Sequence, residues 1–199
     1  MPKPRQDLRR ALHAVAFQQA GYFTASQALE VGYSYQAQKY HVDAGNWLRI
    51  DRGIFRLPEW PSDPEDTFVR WTLWSDGRGV ISHDSALAVH GLSDVDPIKV
   101  HLTVPPGFGA SDELAQLHMA DLDQDEREQR RGWAVTTPLR TLADVAATDT
   151  SQEQVDRAVA DALRLGLVTR RRLLHTTADL APQAALRLER ALGKVEADA

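Results

Sequence analysis

Apolar residues recur at helical spacing over residues 5–20, where Leu8, Leu12, Val15 and Ala16 share one face and Gly21 stands at the C-terminal cap position. In "YFTASQALEVG", Thr24 has the place of an N-cap. Gln27, three residues on, completes a capping box, and Gly32 closes the short helix that follows. Ser34 caps a third helix running to about Gly45. The period then changes to two. Leu48 and Ile50 alternate with Arg49 and Asp51, and Phe55 and Leu57 alternate with Arg56. Gly53 sits at the turn, so "WLRIDRGIFRLP" predicts a β-hairpin. On this alternation Arg49 and Arg56 share the outward face and Arg52 occupies the tip.

"EWPSDPED" reads as a linker and places a domain boundary near residues 58–64. Beyond it the element types mix. A helix is expected from Pro64 to about Trp74 and another over "SHDSALAVHG". Strands are expected at "IKVHLTVP", "ELAQLHMAD" and "GWAVT". Four helices follow, opened by Thr137-Pro138, Ser151, Thr169 and Pro182. The expected fold class is α+β. Residues 1–60 form a winged helix-turn-helix, and residues 61–199 form a mixed α/β domain with a helical C-terminal part.

On a helical wheel, residues 34–45 place Ala37, His41 and Ala44 on the inner face. Tyr35, Gln36, Lys39 and Asp43 lie on the outer face, with Tyr40 and Gln38 on the flanks. Gln can pair with adenine, Lys can meet guanine or phosphate, and Tyr hydroxyls reach phosphates. The candidate DNA-binding residues are therefore Thr24, Ser26, Ser34, Tyr35, Gln36, Lys39 and Tyr40, with Arg49, Arg52 and Arg56 on the wing. Arg170, Arg171 and Arg172 of "TRRRLLH" form a second basic cluster that could add phosphate contacts.

Composition adds two constraints. The chain has no cysteine, which excludes disulfides and thiolate metal sites and suits a reducing, cytoplasmic compartment. No secretory signal or membrane-length apolar run is present in the sequence. The net charge is -5, but residues 1–60 hold 8 Lys and Arg against 5 Asp and Glu, whereas residues 61–199 hold 15 against 23. A basic front and an acidic rear suit different partners.

Residues with candidate chemistry are sparse. His83 and His90 are seven residues apart without a third ligand at zinc-like spacing. "DLDQDE" starts like a calcium loop but has Glu126 where Gly is needed and Gly132 where Glu is needed. "PPGFGASDE" lacks the Lys of a phosphate loop. Ser82, His83 and Asp84 are consecutive and point apart, so they do not make a triad. Neither an enzyme nor a cofactor is expected.

Taken together, "GYFTASQALEVGYS" and "LRIDRGIFRLP" resemble the N-terminal winged helix of AbiEi-type antitoxins of type IV toxin–antitoxin systems. "ISHDSALAVHGL", "VHLTVP" and "AVTTPLRTLADVAA" resemble, in order, later segments of the same family. The resemblance implies an autorepressor whose front domain binds repeats in its own operon promoter. It also implies a rear domain that counters a nucleotidyltransferase toxin, with no stable complex required. Two copies are expected to occupy an inverted or direct repeat on the DNA. Relatives often carry several arginines on the third helix; here it has only Lys39. The other reading left open by the residues is a protein-interaction module that neutralises a partner by direct contact.

Overall fold

The computed structural model describes residues 4–197, in the order α1 (Arg5–Gln18), β1 (Tyr22–Thr24), α2 (Ala25–Val31), α3 (Tyr35–Asp43), β2 (Leu48–Asp51), β3 (Ile54–Arg56), α4 (Asp66–Trp74), β4 (Val80–Ile81), α5 (His83–His90), β5 (Val100–Val104), β6 (Ala115–Met119), β7 (Arg127–Gln129), β8 (Ala134–Thr136), α6 (Pro138–Ala146), α7 (Gln152–Arg164), α8 (Arg170–Thr177) and α9 (Pro182–Ala197). The fold is α+β. Among the described residues no helix is long and apolar enough to cross a membrane.

Two compact units divide the chain. The first holds everything up to Arg78 together with Gln129–Trp133, and the second holds Gly79–Glu128 and everything from Ala134. The division thus falls later than the linker at residues 58–64. The reason is α4, which stays with the first unit: Asp66 at its start is paired with Arg56 of β3, and Arg70 with Asp51 of β2. The returning segment is held there too. Trp133 packs on Phe68 with ring centroids 4.7 Å apart, and Arg131 lies 4.5 Å over the Phe17 ring.

In the first unit, α1 to α3 and a three-stranded antiparallel sheet of order β1-β3-β2 enclose Leu12, Phe23, Tyr33, Trp47, Phe55 and Leu57. Trp47 is the hinge of this core. It stacks on His41 and meets Phe23 and Tyr33 edge-on. Gly21 has φ +83°, and a side chain there would come within 2.5 Å of the Trp60 ring, so only glycine fits. β1 is too short to show a period of two, which hides it in the sequence. Because β3 is the middle strand, Ile54 and Phe55 are both buried instead of alternating.

The second unit contains a five-stranded sheet of order β6-β5-β4-β8-β7. The β5–β6 and β4–β8 pairs are parallel, and β4–β5 is antiparallel. Its helical core includes Leu142, Val155, Val159, Leu173, Leu188 and Leu192. The side-chain caps expected at Thr137, Ser151 and Thr169 are all formed.

Candidate nucleic-acid interface

Three pieces of chain carry the sequence-predicted residues of the first unit, and one residue ties them together. The Ala25 N–H donates to the Gly53 carbonyl of the hairpin turn (2.8 Å). The Ala25 carbonyl accepts from the Gln38 side-chain amide of α3 (3.1 Å). The start of α2, the turn beside Arg52, and α3 are thereby fixed to one another. Gln38 also donates to the Tyr33 carbonyl (3.2 Å) and is only 3% exposed. The helical wheel puts Gln38 on a flank. Instead it is a buried staple whose amide is satisfied by two backbone carbonyls outside its own helix.

Ser34 caps α3, its hydroxyl accepting from the Ala37 N–H (3.2 Å) while the residue stays exposed. The next turn presents Tyr35, Gln36, Lys39 and Tyr40 to solvent; Tyr35 is 69% and Tyr40 65% exposed. Lys39 is paired with Asp43 (2.6 Å), both groups largely exposed. Such a surface pair is worth at most about 1 kcal/mol, so Lys39 can exchange it for a phosphate or a base edge. Ser26 is exposed and within 3.4 Å of Glu30. Thr24 has a different role. Its hydroxyl accepts from Gln27 N–H (3.1 Å), and the Gln27 side chain accepts in return from the Thr24 N–H (2.9 Å). Gln19 and Gln27 exchange two further amide bonds. The Thr24 side chain is spent on starting α2.

The hairpin departs from simple alternation. Leu48 faces Arg56 and Arg49 faces Phe55, with an irregularity between Arg49 and Asp51. Cross-strand partners share a face, so Arg49 and Arg56 lie on opposite faces. Arg49 is exposed, its guanidinium 5.5 Å from the Phe55 ring, and Arg52 is exposed at the turn. Arg56 turns inward. It lies 5.1 Å over the Tyr22 ring and donates to the Pro61 carbonyl (2.9 Å), the Ser62 hydroxyl and the Asp66 carboxylate. It holds the linker down and is removed from the surface set. Burial raises the Tyr22 hydroxyl pKa, with Arg56 opposing.

A groove of about 1150 Å³ runs beside α3, lined by Arg5, Arg9 and His13 of α1 and by Gln36, Tyr40 and Asn46. These α1 residues are absent from the sequence-predicted set, although their spacing of four puts them on one stripe. Burial, and secondarily Arg5, hold His41 below the usual histidine pKa. This groove therefore keeps its positive charge on α1.

Arg170, Arg171 and Arg172 belong to the second unit. Arg170 is ion-paired with Glu196, and Arg171 and Arg172 are exposed. That unit holds a cluster the sequence does not announce. The His83 and His118 rings stack with centroids 3.4 Å apart, and His118 Nε2 lies 3.2 Å from His101 Nδ1. His83 Nδ1 is 2.9 Å from the Ser82 hydroxyl, and His83 has φ +51°, unusual for a residue with a side chain. Burial, then the neighbouring histidines, push the His83 pKa down to about 2; burial and His101 push His118 to about 4. His101 is also lowered by burial, with Asp84 opposing. Stacked rings do not aim their nitrogens at one point. Among the described residues no group of three or more His, Cys, Asp or Glu is placed to hold a metal ion. His90 instead lies 2.7 Å from the Thr136 carbonyl. Asp123 and Glu126, from the calcium-like "DLDQDE", form a capping box around a short 3-10 turn.

No family model and no curated protein matches the chain. Among solved structures it is similar to the RV2827C protein from Mycobacterium tuberculosis. The TM-score is 0.62 at 14% sequence identity, covering 98% of this chain and 79% of that one. This likeness extends over both units and speaks to the fold alone.

Proposed function

We propose that the first unit is a winged helix-turn-helix that binds double-stranded DNA, and that the chain is a transcriptional autorepressor. In this reading α3 lies in the major groove, where Tyr35, Gln36 and Lys39 meet base edges and Tyr40 and Ser34 reach phosphates. Arg49 and Arg52 grip the backbone from the hairpin. The observation that carries the reading is the bonding through Ala25, which holds an exposed, polar, weakly charged helix face in fixed register with a guanidinium-bearing turn. A face that reads bases needs such preorganisation, since ordering it on binding would cost affinity.

The family resemblance extends the proposal: the chain acts as the antitoxin of a type IV pair whose toxin is a nucleotidyltransferase, and its second unit opposes that toxin. Co-expression tests it. The full chain should restore growth to cells expressing the neighbouring toxin and silence a reporter behind its own promoter. Variants at Gln36 and Arg52 should lose silencing while keeping rescue. Loss of neither activity in those variants, or no silencing by the wild type, contradicts the assignment.

One observation favours a second reading. Lys39 is tied to Asp43 and Arg56 is internal, which thins the positive charge at the proposed interface. A protein-interaction module that neutralises its partner by direct contact needs less charge. It would co-purify with the partner and ignore promoter DNA.

A further inference from the structure

The two edges of the five-stranded sheet are built differently. β7 is three residues long and carries Arg127 and Glu128. Short length and charge are the usual guards against an edge pairing with another chain. β6, at the opposite edge, is five residues long, reads AQLHM, and has no charged residue. The apolar surroundings are exposed as well: Leu114 and Met119 are half-exposed, and Ile98, just before β5, is 98% exposed.

The ladder between β5 and β6 decides which backbone groups face outward. The Leu114 carbonyl accepts from Val100 N–H (2.9 Å), and Ala120 N–H donates to the Val104 carbonyl (3.1 Å). Backbone groups on one strand alternate between its two sides. Residues 114, 116, 118 and 120 therefore bond to β5, and Ala115, Leu117 and Met119 turn their N–H and C=O groups away from it. The Ala115 N–H is used by the Asp112 carbonyl (3.2 Å). Among the described residues, the N–H and C=O groups of Leu117 and Met119 on that side have no bonded partner.

We infer that the β6 edge docks on the β6 edge of a second copy of this chain, antiparallel, about a two-fold axis at Leu117. In this register Leu117 meets its own counterpart, Ala115 meets Met119, and Gln116 meets His118. Leu117 and its counterpart become a full hydrogen-bonded pair of an antiparallel ladder, and in each Ala115–Met119 pair the Met119 N–H donates to the Ala115 carbonyl while the Ala115 N–H stays with Asp112. Apolar side chains then meet apolar ones on one face, and an amide meets an imidazole on the other. No like charges oppose one another. A shift of one residue would set the outward groups of one copy against the inward groups of the other, and among the registers that avoid this the one centred on Leu117 pairs all five residues of the strand. The same patch serves both copies, so the pairing closes at two and does not continue into a filament. A second copy is favoured over a foreign strand because β6 carries no charge and its own antiparallel image sets apolar residues against apolar ones along the full length of one face.

The test uses the full chain. Sedimentation velocity over rising concentration should show the mass moving from one chain to two and stopping there. Met119→Lys, at an exposed position, should keep the folded circular-dichroism spectrum. It should weaken the dimer roughly tenfold or more by setting an ammonium against Ala115 of the other copy. The chain has no native cysteine, so Leu117→Cys gives a unique probe. Opposed residues in a hydrogen-bonded pair have Cα atoms about 5.5 Å apart, within disulfide reach. Mild oxidation should therefore link Leu117→Cys into a covalent dimer and leave Arg127→Cys, at the other edge, largely uncrosslinked. A mass of one chain at every concentration overturns the inference. So does a dimer indifferent to Met119→Lys, growth beyond two chains, or equal crosslinking at both edges.

Discussion

The side-chain amide of Gln38 donates to the carbonyl of Ala25 at 3.1 Å from a position 3% exposed, joining α3 to the start of α2. The same amide reaches the Tyr33 carbonyl. Removing it would delete both bonds and the packed side chain from a covered site. Gln38→Ala should therefore destabilise the first unit by about 1–3 kcal/mol, read as a lower urea midpoint at unchanged m-value. Gln36→Ala, two residues away and exposed, should leave the midpoint within about 0.5 kcal/mol.

Arg56 and Asp66 form a largely buried ion pair in that unit, with side chains 11% and 10% exposed. The Asp66 carboxylate also accepts from the Asp63 N–H (3.0 Å). Breaking a buried pair from one side leaves the other charge uncompensated. Arg56→Ala and Asp66→Ala should each cost about 3–5 kcal/mol, and the double substitution should cost less than their sum. Chemical denaturation of the three variants measures this. Additive costs would show that the two groups do not act as a pair.

The exposed cations give a different signature. Arg52→Ala should weaken binding to every DNA sequence and reduce the salt slope by about 1 for each phosphate that the guanidinium neutralises. Gln36→Ala should leave the slope alone and relax the preference at one base pair, at a cost of about 1–3 kcal/mol of discrimination. Binding titrations at several salt concentrations, on promoter and scrambled DNA, separate the two effects.

The histidine cluster makes stability depend on acid. His83, His101 and His118 all have folded pKa values below the ordinary 6.5. Below about pH 6.5 these three groups bind more protons in the unfolded chain than in the folded one, and their contribution lowers stability as pH falls. For His118 the loss accrues from about pH 6.5 down to about 4. Asp144 works in the opposite sense, since burial raises its pKa to about 6 against the pull of Arg140. The comparison that isolates the histidines is His118→Gln against the wild type. Melting temperatures at pH 7.5 and 4.5 should differ less in the variant. An equal drop in both proteins would show that the cluster does not control the acid response.

Much of this architecture is legible in the chain. The capping box at Thr24, the cap at Ser34 and the caps at Thr137, Ser151 and Thr169 are local, and local hydrogen bonds are written in short motifs. Strand pairing is less legible. The irregularity after Arg49 moves Arg56 to the face opposite Arg49, and no alternation pattern reveals a register shift. Arg56 reads as a wing cation because its partner, Asp66, comes from a helix beyond the linker. The stacked histidines come from α5, β5 and β6, so only the sheet order brings them together. Arg5, Arg9 and His13 show in their spacing, but the groove they line forms only once α1 and α3 are packed.

The first unit is proposed to recognise DNA specifically. The most direct test is a gel-shift titration of the full chain with its own upstream region, against unrelated DNA, at two salt concentrations. Tighter retention of the upstream region is expected, with binding to both DNAs weakening as salt rises. Equal retention of the two DNAs, or none, would contradict specific recognition and leave direct contact with a protein partner as the reading to pursue.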